Sequence, residues 1–510
     1  MEFNQIYNTD ALEGLKQLDE NSIDAIISDP PYQLTGITRK ATQQDFNRVS
    51  QENGKFNRRV QTGFMNKEWD ILPSVDILKE CLRVLKTGAW ALWLMTPRQD
   101  SQLEFLLRLR QAGFNISFSS VEWVYASGFP KAADLSLLAD KKACKEDLIQ
   151  KLGREPTKEE FKEAWGKWRT IEGYKPNEKD FRDLGKKTKE QEGIDKLGIG
   201  ITAERTDLPI TTPHTSEAQA LSGSYAGMQL KPARELIIVS QKPIAGKTYL
   251  DQALLHLKEP EHNQLGGSYL DDCRVPYNNE IPNLGGRPLH SRGEGYGFMP
   301  IGENAVANQK GRFPANMLCS DNALDIGVKH SVGHNPNIKT IGYGLFGGGT
   351  SERVDYKADT YINDSGDLSR YFDLDFWFEN KLNELPKEQQ KIFPFLYVPK
   401  ASKSERNKGL ENMPDGLHGH GNLGNSEGFE RFQTPSKNIH PTAKPIKLMS
   451  YLITLTTREN NIVLDPFIGS GTTAISSIQL KRRFLGFERE EEYYKITTER
   501  IKYYQKQAVL

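Results

Sequence analysis

The sequence has few cysteines, no net charge and no long hydrophobic run. Its 510 residues include only four cysteines, none in a Cys-x-x-Cys pair: Cys81, Cys144, Cys273 and Cys319. This spacing excludes a disulfide framework and a zinc ribbon, is typical of a reducing cytoplasm, and predicts no metal site. No stretch approaches the ~18 apolar residues of a membrane span, and the first residues lack the basic and apolar regions of a signal peptide. We therefore expect a soluble cytoplasmic protein that does not associate with membranes.

The charges balance, with 67 Lys and Arg against 67 Asp and Glu, so composition gives no argument for a polyanionic partner. The length predicts about two to four domains. Strand and helix patterns alternate over the first 130 residues. The run Ile23–Ser28 is typical of a buried strand. Ser74 is a candidate cap for a later helix, and Gly88 is its predicted stop signal. This alternation predicts an α/β fold with a largely parallel sheet.

The composition changes twice along the chain. Residues 131–219 are rich in Lys and Glu with helical periodicity, and 152–157 resembles the start of a helix-turn-helix unit. A solvated helical insertion and a DNA-reading role both fit this segment. Residues 246–394 are rich in Gly, Asn and Pro, which is typical of functional loops or of an irregular module. We therefore divide the chain into 1–130, a helical insertion at 131–219, a return strand within 220–245, an irregular region at 246–394, and 395–510.

Two prolines follow the Ile23–Ser28 strand directly, in the segment Asp29-Pro30-Pro31-Tyr32. In a purely structural interpretation they end the strand, because proline cannot donate to a sheet ladder. The segment also fixes a carboxylate, backbone carbonyls and an aromatic ring at the carboxyl end of a strand, where open α/β sheets bind ligands. Acceptors beside a stacking ring suit a planar group that carries an –NH₂. The candidate catalytic residues are therefore Asp29, Pro30, Pro31 and Tyr32.

A second pattern joins a strand, a Gly-rich turn and a helix. The strand-like run 461–464 is followed by the turn Asp465-Pro466-Phe467-Ile468-Gly469-Ser470-Gly471-Thr472-Thr473. Glycines let a ligand approach the backbone closely at a helix N-terminus. The next strand-like run, 483–488, ends in Glu488, which is placed to bind ribose hydroxyls as in nucleotide-binding α/β folds. A P-loop is excluded at Gly246-Lys247-Thr248, because Gln241 occupies the position of its first glycine.

The segment His440-Pro441-Thr442-Ala443-Lys444-Pro445 comes shortly before this turn. Alone it is an ordinary entry to the helical pattern of Leu448, Leu452 and Leu455. Its place in the sequence favours a role in the same site.

Together these three motifs resemble the amino-group DNA methyltransferases. That family has an acidic-Pro-Pro-aromatic motif for catalysis and a Phe-x-Gly-x-Gly motif for S-adenosylmethionine. Here the catalytic motif comes first, which is the permuted order of the beta group, common in bacteria, phages and mobile elements. The resemblance covers about 1–130, 220–245 and 395–510. It extends to four shorter segments: Ser127–Lys131, Leu230–Glu235, Gly311–Asn316 and Pro399–Asn407.

The resemblance implies an S-adenosylmethionine-dependent, Rossmann-like methyltransferase fold in which 1–130 is the catalytic half and 395–510 the cofactor half. The region 246–394 would then recognise the DNA target, with basic candidates Arg274, Arg287, Arg292, Lys310 and Arg312. The implied cofactor-binding residues are Asp10, His440, Thr442, Lys444, Asp465, Phe467, Gly469, Ser470, Gly471, Thr472, Thr473 and Glu488.

The implied activity is methyl transfer to N6 of adenine in double-stranded DNA, with the target base flipped out of the helix. Adenine follows from the motif, since Asp before Pro-Pro-Tyr generally accompanies adenine methylation in the family and Ser accompanies cytosine N4 methylation. Three alternatives stay open: an N4-cytosine DNA methyltransferase, an RNA or protein N-methyltransferase, and a non-enzymatic DNA-binding specificity protein. A homodimer and a separate restriction endonuclease as partners also stay open.

Overall fold

A mixed eight-stranded sheet forms the centre of the computed structural model. The structure describes residues 1–32, 70–125, 132–175, 208–227, 233–277, 310–320, 330–331, 365–366, 372–390, 400–418 and 434–508.

Within these residues the strands are β1 (Gln5–Asn8), β2 (Ile23–Ser28), β3 (Leu85–Met95), β4 (Val121–Val124), β5 (Thr170–Lys175), β6 (Leu208–Thr212), β7 (Arg234–Gln241), β8 (Met317–Cys319), β9 (His330–Ser331), β10 (Ser365–Gly366), β11 (Gly416–His418), β12 (Thr434–Ser436), β13 (Ile462–Asp465) and β14 (Arg483–Glu488). The helices are α1 (Ala11–Leu15), α2 (Val75–Val84), α3 (Gln99–Ala112), α4 (Leu135–Leu152), α5 (Lys158–Trp168), α6 (Ser216–Ala220), α7 (Tyr249–Lys258), α8 (Leu374–Asn383), α9 (Lys387–Gln390), α10 (Lys403–Asn407), α11 (Ile446–Thr456), α12 (Thr472–Gln479) and α13 (Glu491–Ala508).

The order of strands in the large sheet is β1-β14-β13-β2-β3-β7-β4-β8. Only β7 runs antiparallel to its neighbours, β3 and β4, and every other adjacent pair in this sheet is parallel. The pairing of β13 with β2 joins Val463 to Ala25, so segments from opposite ends of the sequence lie side by side. The predicted α/β class with a largely parallel sheet is confirmed.

Hydrophobic side chains cover both faces of the sheet. Every residue of β2 is buried. Its consecutive residues Ile26 and Ile27 point to opposite faces of the sheet and belong to different core clusters. The cluster with Ile26 includes Phe105 of α3, and the cluster with Ile27 includes Leu452 of α11. A strand that is covered on both faces has a nearly continuous apolar sequence, because apolar and polar residues alternate only where one face of the sheet meets water.

The segment before β3 follows its sequence pattern at the start and departs from it at the end. The Ser74 hydroxyl accepts a hydrogen bond from the Ile77 N–H at 3.3 Å, which caps α2 as predicted. Gly88, however, is not the helix stop. Helix α2 ends at Val84 and β3 begins at Leu85.

Contacts divide the chain into two units, 1–127 with 233–510, and 128–232. The second unit contains α4, α5 and α6, and also an antiparallel β5–β6 pair that its helical pattern did not predict. Its buried centre is an ion pair between Asp140 Oδ2 and Arg169 Nε at 2.6 Å. The Asp140 carboxylate also accepts hydrogen bonds from the N–H groups of His214 and Thr215.

The described parts of 246–394 pack into the first unit. Strand β8 pairs with β4, and Trp377 of α8 is buried in the core. No helix among the described residues is long and apolar enough to cross a membrane.

Candidate active site

The site lies at the point in the sheet where the chain connections lead to new strands on opposite sides. From β2 the chain passes through α2 to β3 on one side, and from β13 it passes through α12 to β14 on the other. Because β2 and β13 are parallel neighbours, their carboxyl ends meet at one edge, and the crevice outside such a switch point is where open α/β sheets bind ligands. Asp29 follows β2 and Pro466 follows β13, so two of the motifs meet at this crevice.

A cavity of about 310 Å³ opens at this edge. That volume lies at the lower end of the range of small-molecule pockets. Fifteen of the sixteen residues singled out from the sequence line it: Asp10, Asp29, Pro30, Pro31, Tyr32, His440, Thr442, Lys444, Asp465, Phe467, Gly469, Ser470, Thr472, Thr473 and Glu488. The exception is Gly471.

The two glycines of the turn have structural reasons of their own. Both occupy the left-handed region, Gly469 with φ of 50° and Gly471 with φ of 80°. A Cβ on Gly471, the N-cap of α12, would lie 2.6 Å from Cγ2 of Thr497. Gly471 therefore shapes the backbone and lets α13 pack against it, and its predicted contact with the cofactor stays a prediction.

Two residues of helix α13, Thr497 and Arg500, hold the turn from outside the cavity, which the sequence motifs did not indicate. The Thr497 hydroxyl donates to the carbonyl of Gly469, and the buried Arg500 guanidinium donates to the carbonyl of Ser470. The backbone N–H of Gly469 donates to Glu488 Oε2 at 3.0 Å. Side chains of two elements thus fix the backbone of this turn in one conformation.

Two buried carboxyl groups stand at the ends of β13 and β14. Asp465 accepts hydrogen bonds from Ser28 Oγ and Thr473 Oγ1, each at 2.6 Å, so it ties the end of β2 to the start of α12. Burial raises the pKa of Asp465 to about 6 and that of Glu488 to about 7. Glu488 also accepts from the Glu490 N–H at 2.8 Å, which leaves lone pairs for ribose hydroxyls.

The catalytic motif forms an ionic cluster with Lys444. The Lys444 ammonium lies 2.9 Å from Asp29 Oδ2 and donates to the Tyr32 hydroxyl at 3.0 Å, while that hydroxyl donates to Asp29 Oδ1. The sequence motif associated Lys444 with the cofactor, but its ammonium binds the carboxylate of Asp29. Burial alone would lower the pKa of Lys444, yet the charges of Asp29 and Glu235 raise it above its ordinary value, so Lys444 is a cation.

Glu235 completes this cluster, although its motif indicated no role for it. Its Oε2 lies 3.2 Å from the Lys444 ammonium without hydrogen-bond alignment, and its Oε1 accepts from the Tyr125 hydroxyl at 3.3 Å. Burial would raise the pKa of Glu235, but the charges of Lys444 and Lys400 lower it below the ordinary value. For Asp29 the balance is the opposite, because burial together with the Glu235 charge raises its pKa against the effect of Lys444.

The remaining predicted residues sit on neighbouring segments. Asp10 caps α1 by accepting from the Leu12 N–H at 2.9 Å, at the carboxyl end of β1. The His440 ring packs edge-on against Tyr493, with ring centres 4.7 Å apart. Asp10, His440 and Tyr493 all line the cavity, so its wall combines carboxylates with aromatic faces.

Three of the five basic residues expected to contact DNA lie within the described part of the chain. Arg274 and Lys310 both pair with Asp271, at 2.7 and 3.6 Å, and the Arg312 guanidinium lies over the Tyr277 ring. Arg287 and Arg292 lie outside the described residues.

Comparison with known proteins identifies part of the chain. Residues 351–499 match the family model described as DNA methylase. The Type II methyltransferase M.HindIII of Haemophilus influenzae is 44% identical over 71 residues, which are 14% of this chain and 23% of that protein. The Type II methyltransferase M2.DpnII of Streptococcus pneumoniae is 47% identical over 62 residues, 12% of this chain and 23% of that protein. The chain thus spans about a quarter of the length of these relatives.

Among solved structures, PvuII DNA methyltransferase (cytosine-N4-specific) aligns with all of this chain and 94% of its own, at 11% identity and a TM-score of 0.35. A TM-score this low carries no argument about this protein. The match to the family model and the local identities to Type II methyltransferases carry the identification. Residues 351–499 match the DNA methylase family, in agreement with the resemblance that the motifs show to the amino-group DNA methyltransferases.

Proposed function

We propose that this protein is a site-specific DNA methyltransferase that transfers a methyl group from S-adenosylmethionine to N6 of adenine in double-stranded DNA. One observation supports this most directly. The Asp29–Tyr32 motif and the Gly-rich turn, from opposite ends of the sequence, line the same cavity at the switch point of the sheet.

The residues around the turn fit the proposed cofactor. Glu488 and Asp10 offer carboxylates at the ends of neighbouring strands, and Phe467 and Tyr493 offer apolar and aromatic surface. The N-terminus of α12 favours a negative group such as the carboxylate of an amino acid. When bound, S-adenosylmethionine supplies an activated methyl group.

The residues of the catalytic motif act on the target amine. Asp29 and the Pro30 carbonyl accept hydrogen bonds from its two N–H groups, which favours a pyramidal nitrogen with a free lone pair. Lys444 keeps the Asp29 carboxylate oriented, and Tyr32 stacks on the flipped base. Holding both reactants in near-attack geometry is worth about 7–11 kcal/mol, so positioning carries most of the rate enhancement.

Adenine is the preferred base because Asp29 directly precedes the two prolines. Ser28, one residue earlier, does not take the place of Asp29 in the motif, because Ser28 is fully buried and its hydroxyl donates to Asp465. Cytosine N4 methylation is the second candidate, since both amines are planar and conjugated and the same acceptors suit either.

We further propose that 246–394 reads the DNA sequence and that the enzyme works in the cytoplasm. A separate endonuclease and a homodimer are partners to be tested by co-purification and by light scattering.

The decisive experiment incubates the protein with DNA and labelled S-adenosylmethionine, digests the product to nucleosides and identifies them by mass spectrometry. N6-methyladenine is expected, whereas N4-methylcytosine alone would contradict the choice of base. Transfer to RNA but not to DNA would contradict the substrate class. Cofactor binding without any transfer would favour a DNA-binding specificity protein.

A further inference from the structure

Glu235 is a buried carboxylate that touches the catalytic cluster from outside the cavity. It lies in β7, the antiparallel strand, and does not line the cavity. Its Oε2 is 3.2 Å from the Lys444 ammonium, and Lys444 lines the cavity and binds Asp29. The contact by which Glu235 reaches the cavity is therefore the one with Lys444.

We propose that Glu235 is a positioning residue: it anchors the Lys444 ammonium so that Lys444 holds the Asp29 carboxylate toward the target amine. This inference rests on the proposed methyltransferase function. It assigns to Glu235 a role that neither its sequence motif nor the family match indicates.

The reason lies in the chemistry of lysine. Its ammonium is a point charge with three donors on a flexible four-carbon stem, so one partner alone does not define its position. Here the partners come from two strands, Asp29 and Tyr32 after β2 and Glu235 in β7, and β3 separates these strands in the sheet. Two anchors on different strands fix the ammonium, and hence the carboxylate that it binds.

Glu235 is itself held in place. The Tyr125 hydroxyl, at the end of β4, donates to its Oε1 at 3.3 Å. The Lys400 ammonium lies 4.6 Å from the centre of the Tyr125 ring and adds positive charge to this side of the cluster. The orientation of Glu235 is therefore set independently of Lys444, as an anchor requires.

The arrangement has an electrostatic consequence. In the part of the chain that the structure describes, the groups that face Asp29 are Lys444, Tyr32, Glu235 and the more distant Asp465. Because Lys444 lies 2.9 Å from one carboxylate and 3.2 Å from the other, the Asp29 and Glu235 oxygens are no more than about 6 Å apart. Asp29 accepts hydrogen bonds from an amine more strongly when it is ionised, so its pKa sets the acidic limb of the rate profile. Removing the Glu235 charge lowers that pKa and moves the acidic limb to lower pH.

The test compares Glu235→Gln with Glu235→Asp, and uses Glu122→Gln as the matched control. Glu122 is a carboxylate on the neighbouring strand β4 that pairs with Arg234, and it does not line the cavity. For each variant, kcat and KM for DNA methylation are measured across pH, and the Kd of S-adenosylmethionine is measured by calorimetry.

For Glu235→Gln we expect kcat to fall at least tenfold, the cofactor Kd to stay within twofold, and the acidic limb to move down by about one pH unit. Glu235→Asp keeps the charge and should return the limb toward its wild-type position. Glu122→Gln should change neither quantity.

Four outcomes overturn the inference. Unchanged kcat and pH profile in Glu235→Gln would show that Lys444 needs no second anchor. Loss of cofactor binding together with activity would show a merely structural role, and so would an unshifted limb despite a lower kcat. A wild-type protein that methylates no DNA overturns the proposed function, and this inference with it.

Discussion

Replacing Gly469 by alanine tests the geometry of the Gly-rich turn most sharply. The residue has φ of 50°, and an added Cβ would lie 2.6 Å from Nε2 of His440 and 2.9 Å from its Cε1. The left-handed conformation costs an alanine about 1–2 kcal/mol. Crowding a packed site costs about 1–3 kcal/mol more, because His440 must move away from Tyr493, against which it packs.

This strain falls on residues that line the cavity, so it should weaken cofactor binding. If half or more of the strain opposes binding, the Kd of S-adenosylmethionine rises roughly tenfold to a hundredfold, at about 1.4 kcal/mol for each factor of ten. Calorimetry on the purified variant measures this change directly.

A matched control separates backbone strain from the clash. Gly153 has φ of 67°, but a Cβ there would meet nothing within 4 Å. Gly153→Ala therefore carries the same kind of backbone strain far from the turn in sequence and should leave the Kd unchanged. Adding His440→Ala to Gly469→Ala removes the clashing ring but keeps the backbone strain. The loss of affinity relative to His440→Ala should therefore be smaller than the loss that Gly469→Ala causes in the wild-type background. A Kd for Gly469→Ala within twofold of wild type would refute the reasoning.

Three further outcomes are expected. Asp29→Ala should abolish methyl transfer and leave the cofactor Kd nearly unchanged, since Asp29 is assigned to the target amine; activity within tenfold of wild type would contradict this. Burial raises the pKa of Asp465 to about 6, so the folded state keeps a proton that the unfolded chain releases, and stability is lost as pH rises from about 4 to 6. Urea unfolding should show that Asp465→Asn removes up to about 3 kcal/mol of this pH dependence, and an equal slope in both proteins would argue against it. DNA affinity should fall with salt, with a log–log slope near −0.9 per phosphate contact, despite the net charge of zero; a flat response in fluorescence anisotropy would mean that no phosphates are contacted.

The sequence by itself determined the features that depend on neighbouring residues. The helix cap at Ser74, the strand that ends at Asp29-Pro30-Pro31-Tyr32 and the turn around Gly469 are local, because each depends on backbone preferences within a few residues. The family resemblance added what such preferences cannot express, namely that motifs far apart in the chain serve one site.

Only the tertiary structure decided which distant groups meet there. Glu235 contacts Lys444 because the antiparallel strand β7, which pairs with β3, places it one strand away from the end of β2. A motif in one segment carries no information about the register of another. Likewise, the motif placed Gly471 in the turn, but only the fold shows that a Cβ there would lie 2.6 Å from Cγ2 of Thr497. Gly88 looked like a helix stop, but α2 ends earlier because β3 begins at Leu85 to pair with Ile23 of β2. Strand pairing and helix packing act between residues far apart in sequence, which is why local patterns predicted the elements and the three-dimensional fold determined the partners.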